Sequence, residues 1–140
     1  MIGLDVETTA LTPEDGRLRL VQVAGDRGTV ILDADVEDVR PLLEYVRDRA
    51  AVAHNANFEE LWARAHEVEL FLEDTMVMSR VLYGGTALQK RLRHGLADVA
   101  ARELEIELDK EQQVSDWSGP LTEEQLVEPF WDTGCRFPPS

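Results

Sequence analysis

Asp5 and Glu7 stand on either side of Val6 in a short β-prone run, Ile2-Gly3-Leu4-Asp5-Val6, that gives way to Thr8-Thr9. Residues i and i+2 of a strand point the same way, so the two carboxylates share one face. Side by side they repel, and a cation would neutralise them. A solvated pair at a strand end is the other reading, and Asp-x-Glu alone does not separate the two. A third acid, Glu59, closes the stretch Ala53-His54-Asn55-Ala56-Asn57-Phe58-Glu59. There a strand runs out at His54-Asn55, and Asn55 or Asn57 can cap the next helix. Glu59 then lies in the first turn, where the helix dipole favours an anion. Glu60 beside it reads as a solvent residue. Late in the chain, Thr122-Glu123-Glu124-Gln125 forms a capping box. If the helix it starts runs on, Glu128 and Asp132 fall one turn apart on one face.

The elements that must position these acids follow from periodicity. Ile2–Val6, Leu18–Ala24 and Thr29–Leu32 read as three short strands with tight connections, an antiparallel meander. The period then changes. Val36, Val39, Leu42, Leu43 and Val46 recur at helical spacing. Ala51–Ala53 reads as a buried strand, and Phe58, Leu61, Trp62 and Ala65 mark a second helix. Leu70–Leu72 reads as a strand. Thr75 to Tyr83 reads as a helix stopped by Gly84-Gly85, and His94 to Leu104 as another. A polar stretch from Asp109 to Pro120 reads as a linker. Three meander strands followed by alternating helices and strands imply an α/β fold, a mixed sheet covered by helices.

Composition sets the outer limits. The chain has 140 residues, enough for one domain with its own core. One cysteine, Cys135, excludes an internal disulfide and favours a reduced compartment, so the cytoplasm is expected. No apolar run is long enough to span a membrane. Fourteen Lys and Arg against 28 Asp and Glu give a net charge of −14. Proteins that grip long nucleic acid are usually basic, whereas an excess of carboxylates suits divalent cations. Arg80, Lys90, Arg91 and Arg93 form the one basic cluster, either a solvated face or a contact for a phosphate backbone. His54 reads as a structural histidine, His66 and His94 as surface or packing residues, and Trp62 and Trp117 as core.

Taken together, the motifs are more specific than any one of them. Gly3-Leu4-Asp5-Val6-Glu7-Thr8-Thr9-Ala10-Leu11, the Ala53–Glu59 stretch, Asp74-Thr75-Met76, Gly95-Leu96-Ala97-Asp98-Val99-Ala100 and Gln113-Val114-Ser115-Asp116-Trp117-Ser118 occur in that order. In this the chain resembles the DEDD-type (DnaQ-like) 3′–5′ exonucleases. It is most similar to their tyrosine branch: the proofreading domain of DNA polymerase I, ribonuclease D and the Werner-type exonuclease. The resemblance covers roughly residues 2–127. It departs from the family in two places. The second-motif acid, usually Asp, is Glu59 here. In the third motif the family's Tyr-Ala-Ala-x-Asp reads Glu128-Pro129-Phe130-Trp131-Asp132. Proline inside a helix removes a hydrogen bond and costs about 3 kcal/mol.

The resemblance implies a ribonuclease H-like fold over residues 1–127, followed by an atypical, poorly ordered tail over 128–140. It implies hydrolysis of phosphodiester bonds at the 3′ end of single-stranded nucleic acid, DNA more than RNA. Two Mg²⁺ or Mn²⁺ ions about 4 Å apart would be held by Asp5, Glu7, Glu59 and Asp132, with Asp5 bridging. Glu128 would stand where the family's tyrosine orients the attacking water. Thr8, Leu11 and Asn55 would touch the terminal nucleotide. Bound ions would also supply positive charge where the chain has little. Two alternatives remain: an impaired exonuclease-like domain that binds nucleic acid or a protein partner, and a fragment of a polymerase I-like chain.

Overall fold

The computed structural model describes residues 1–108 and 117–122. Strand β1 spans Ile2–Thr8, β2 Leu18–Gly25 and β3 Gly28–Asp33. They form the expected meander, β1 antiparallel to β2 and β2 to β3. Helix α1 (Arg40–Arg47) leads to β4 (Ala51–Ala53), α2 (Asn57–Ala65), β5 (Glu73–Asp74), α3 (Thr75–Tyr83) and α4 (Leu96–Leu104). The strands make one five-stranded mixed sheet in the order β3-β2-β1-β4-β5. β4 runs parallel to both β1 and β5. The carboxyl ends of β1, β4 and β5 therefore open on the same edge, where α/β sheets bind ligands.

The alternation of β1 divides its side chains between core and site. Leu4 and Val6 enter the core with Val21 and Val23 of β2, Leu43 and Val46 of α1, and Trp62 and Ala63 of α2. Burying Trp62, 1% exposed, fastens α2 to the sheet through some of the largest apolar area in the chain. Asp5 and Glu7 fall on the opposite face of β1, level with Gln22 and Leu20 of β2. The ladder between β1 and β2 shifts register between Glu7 and Thr8, which ends the strand just beyond the acids.

Three elements differ from the expectation. α1 begins at Arg40, not near Val36: Pro41 sits in its first turn, while Val36 and Glu37 are tied to the Asp33 carbonyl. Leu70–Leu72 is not a strand; the Leu72 N–H donates to Glu60 Oε1 at 2.9 Å, and pairing with β4 starts only at Glu73. Glu60 is thus a structural acceptor rather than a solvent residue. α4 begins at Leu96, because His94 is held by Ser79 and Gly95 takes the N-cap position. The stop at Gly84-Gly85 is as expected, with Gly85 at φ 75°. The helix from Thr122 and the tail over 128–140 lie outside the described residues, as does the linker except for 117–120.

Candidate active site

The loop after β1 is short and closed on itself. Thr8 Oγ1 donates to the Ala10 carbonyl at 2.6 Å, the Arg17 N–H donates to Thr9 Oγ1 at 2.9 Å, and the Thr9 N–H donates to the Arg17 carbonyl at 3.0 Å. Gly16 lies so close that a Cβ there would meet Ala10 Cβ at 2.5 Å, so no other residue fits without moving the loop. Leu11, 82% exposed, stands on this loop. An exposed apolar side chain on the loop that follows the acids is available to a flat, apolar ligand surface.

A second loop, between β4 and α2, delivers Glu59. Neither Asn55 nor Asn57 caps α2, contrary to expectation; Ala56 holds the N-cap position with no side-chain bond. Asp74 does the work from the neighbouring strand end. Its carboxylate accepts from Asn55 N at 3.2 Å and Ala56 N at 3.0 Å, and caps α3 through Met76 N at 2.8 Å and Val77 N at 3.2 Å. Burial disfavours the charge, but these four donors outweigh it and hold the Asp74 pKa below its ordinary value. Asn55 is consequently held at φ 70°, a left-handed conformation that asparagine tolerates. In the sequence Asp74 stands out only as part of Asp74-Thr75-Met76, with no role of its own. Its signal was an Asp just before a helical period, an N-cap pattern.

Asp74→Ala leaves four backbone donors short of their acceptor and is expected to cost about 2–4 kcal/mol of stability. Asp74→Asn keeps one acceptor oxygen and should cost less. Urea denaturation checks this; a loss under about 0.5 kcal/mol for the alanine variant would contradict the capping account.

Asp5, Glu7 and Glu59, the expected site acids that fall among the described residues, share a poorly solvated environment. Burial pushes the Asp5 pKa up to about 7, against which a backbone hydrogen bond at Val6 acts weakly. Burial and then the charge of Asp5 push Glu7 to about 8. Glu59, 4% exposed, is pushed to about 8 by burial first, then by Asp5, Asp74 and Glu7. Gln22 Nε2 approaches Asp5 Oδ2 at 3.4 Å, while Glu59 Oε2 and Gln22 Oε1 are buried without hydrogen-bond partners. Buried oxygens of this kind demand a partner. The donor set of hard oxygens with one orphaned carboxylate oxygen fits Mg²⁺ or Mn²⁺. Among the described residues, however, no group of three or more His, Cys, Asp or Glu is already arranged to hold an ion. Asp132 and Glu128, the remaining expected members, lie outside the described residues.

The same shifts fix a pH dependence for the metal-free chain. Each acid binds its proton more tightly folded than unfolded. Its contribution is therefore fully present below the ordinary values of 3.8 and 4.5 and lost as pH rises through about 7 to 8. In EDTA the melting temperature should fall between pH 5 and pH 8, and Mn²⁺ should restore it at the upper end. Asp5→Asn with Glu7→Gln should flatten the profile. A flat profile in the unaltered chain would show that burial does not strain these acids.

His54 is structural, as expected. Its Nδ1 lies 2.9 Å from Thr75 Oγ1 and its Nε2 donates to the His94 carbonyl at 2.9 Å. Burial lowers its pKa, which keeps the ring neutral.

Comparison with known proteins places this arrangement in a family. A family model described as 3′-5′ exonuclease matches residues 1–131. DNA polymerase I of Aquifex aeolicus is 30% identical over 126 residues, 88% of this chain and 20% of that protein. The chain thus spans about a fifth of that relative's length. A solved structure described as the apo form of a nuclease shares 29% identity at a TM-score of 0.77, over 94% of this chain and 65% of the other. Brucella melitensis NrnC shares 26% at 0.72, over 89% and 62%, and has also been solved bound to pGG and with bound Mg²⁺. With its mixed sheet and its acids at the strand ends, the chain belongs to the 3′-5′ exonuclease family.

Proposed function

We propose that this chain removes nucleotides from the 3′ end of single-stranded nucleic acid, DNA in preference to RNA, using two divalent ions. The observation that carries the reading is the trio Asp5, Glu7 and Glu59 at one sheet edge, Glu59 buried and the other two half-buried, with pKa values pushed to about 7 to 8. Asp5, Glu7, Glu59 and Asp132 would hold Mg²⁺ or Mn²⁺. Such ions lower the pKa of bound water and neutralise the leaving oxygen. The residues of the chain do the rest. Asp5 and Glu7 share one face, so the scissile phosphate is approached from that face. Glu59 brings its unpartnered oxygen from the first turn of α2. Leu11 packs on the terminal base, and Thr8 and Asn55 flank it from the two loops. Glu128 takes the place of the tyrosine that would steer the water. The preference for DNA rests on the polymerase relative. The lone cysteine supports a reduced, cytoplasmic setting. No helix among the described residues is long and apolar enough to cross a membrane.

Digestion of a 5′-labelled and a 3′-labelled oligonucleotide tests this. The 5′ label should appear in a descending ladder, the 3′ label in mononucleotide, with Mg²⁺ or Mn²⁺ but not with EDTA. Internal fragments, or release of the 5′ nucleotide first, would overturn the reading. Slower cleavage of DNA than of the same RNA sequence would reverse the stated preference.

A further inference from the structure

The chain leaves the sheet edge at Thr75 and comes back to it at His94. The His54 ring touches both ends, Thr75 Oγ1 and the His94 carbonyl, each at 2.9 Å. The return is locked again by Ser79 Oγ on His94 Nδ1 at 2.9 Å. Arg102 reinforces it, donating to the Arg93 carbonyl at 3.0 Å and to Ser79 Oγ at 2.8 Å. Arg80 follows Ser79 and Arg93 precedes His94, so these two cations flank one shared contact. Lys90 and Arg91 stand on the same excursion, and all four side chains are exposed. Among the described residues none of the four makes an ion pair, and neither do Arg27, Arg49 and Arg64; what sets the four apart is that residues 75–97 contain no Asp or Glu. In a chain with twice as many acids as bases, four cations on one acid-free stretch form a local field opposite to the whole. That field is anchored beside the loop that carries Asn55, since His54 immediately precedes it.

We propose that Arg80, Lys90, Arg91 and Arg93 form a track for the phosphodiester backbone upstream of the 3′-terminal nucleotides. The track makes the chain favour strands of several nucleotides over dinucleotides. It rests on the exonuclease reading for the position of the 3′ end, but its own signature is separable. The cations are exposed, so each contributes through released counterions and without specificity for bases.

The test compares the unaltered chain with a variant carrying Arg80→Gln, Lys90→Gln, Arg91→Gln and Arg93→Gln. Cleavage of a strand of roughly a dozen nucleotides is followed beside that of a dinucleotide, between about 50 and 200 mM salt. The variant should lose about tenfold or more in kcat/KM on the long strand, mainly through KM, and its salt dependence should flatten by about 2 to 3 in log–log slope. The long-strand advantage should vanish, with an unchanged melting temperature. Equal losses on both substrates, or none, would overturn the track. Should the unaltered chain cleave neither substrate, the exonuclease reading fails alone. Fluorescence anisotropy of the labelled long strand in EDTA then decides: weaker binding by the variant supports the track, and equal binding rejects it.

Discussion

Asp5→Ala is expected to lower 3′-end hydrolysis roughly a thousandfold, which is about 4 kcal/mol of transition-state stabilisation. The same variant should fold normally. Asp5 lies on the site face of β1, while Leu4 and Val6 carry the core contacts on the other. Removing a half-buried acid whose pKa desolvation pushes to about 7 also removes a desolvation cost, so the variant in EDTA at pH 8 should melt no lower than the unaltered chain. Glu7→Ala should behave alike. Single-turnover cleavage in Mn²⁺ and a melting curve in EDTA measure the two halves separately. Retained cleavage would remove Asp5 from the site. A melting temperature many degrees lower would make it a structural residue.

The second large effect concerns the third motif, Glu128-Pro129-Phe130-Trp131-Asp132, which lies outside the described residues. Glu128 puts a negative charge where the family resemblance implies a neutral phenol, and it would repel a phosphate. Pro129 lacks the N–H that a helix interior needs, and in a helix continued from Thr122 its ring would clash with the carbonyl four residues earlier. Asp132 must be placed to a fraction of an ångström to serve as a ligand, and displacement by about 1 Å can cost roughly a hundredfold in rate. Glu128→Tyr with Pro129→Ala and Phe130→Ala should therefore raise single-turnover cleavage of single-stranded DNA by about a hundredfold. If the unaltered chain already cleaves as fast, the altered motif does not weaken the enzyme.

The parts of this molecule governed by local periodicity were readable from its residues. The period-two alternation of β1 set Asp5 with Glu7 on one face, and the structure has that arrangement, with Leu4 and Val6 in the core on the other. The meander and the glycine stop after α3 followed from turn chemistry in the same way. Where tertiary partners intervene, local reading failed. Leu70–Leu72 has strand composition, but a side chain of α2 takes the Leu72 N–H. Asn55 and Asn57 are good caps in isolation, yet Asp74 reaches across from β5 and satisfies that loop instead. Glu59 and Glu60 look alike in sequence. Only their placement makes Glu59 a buried acid with a free oxygen and Glu60 a brace for the backbone. Gln22 interrupts an apolar strand, and that interruption was the available sign of a polar group facing Asp5.

Calorimetric titration with Mn²⁺ tests the central claim most directly, because it reads the carboxylates without requiring a turnover. The unaltered chain should bind the ion near neutral pH and release protons as it does so, since Asp5, Glu7 and Glu59 hold them up to about pH 7 to 8. Asp5→Ala should bind far more weakly. Equal binding by the two proteins would contradict a metal centre built on these acids.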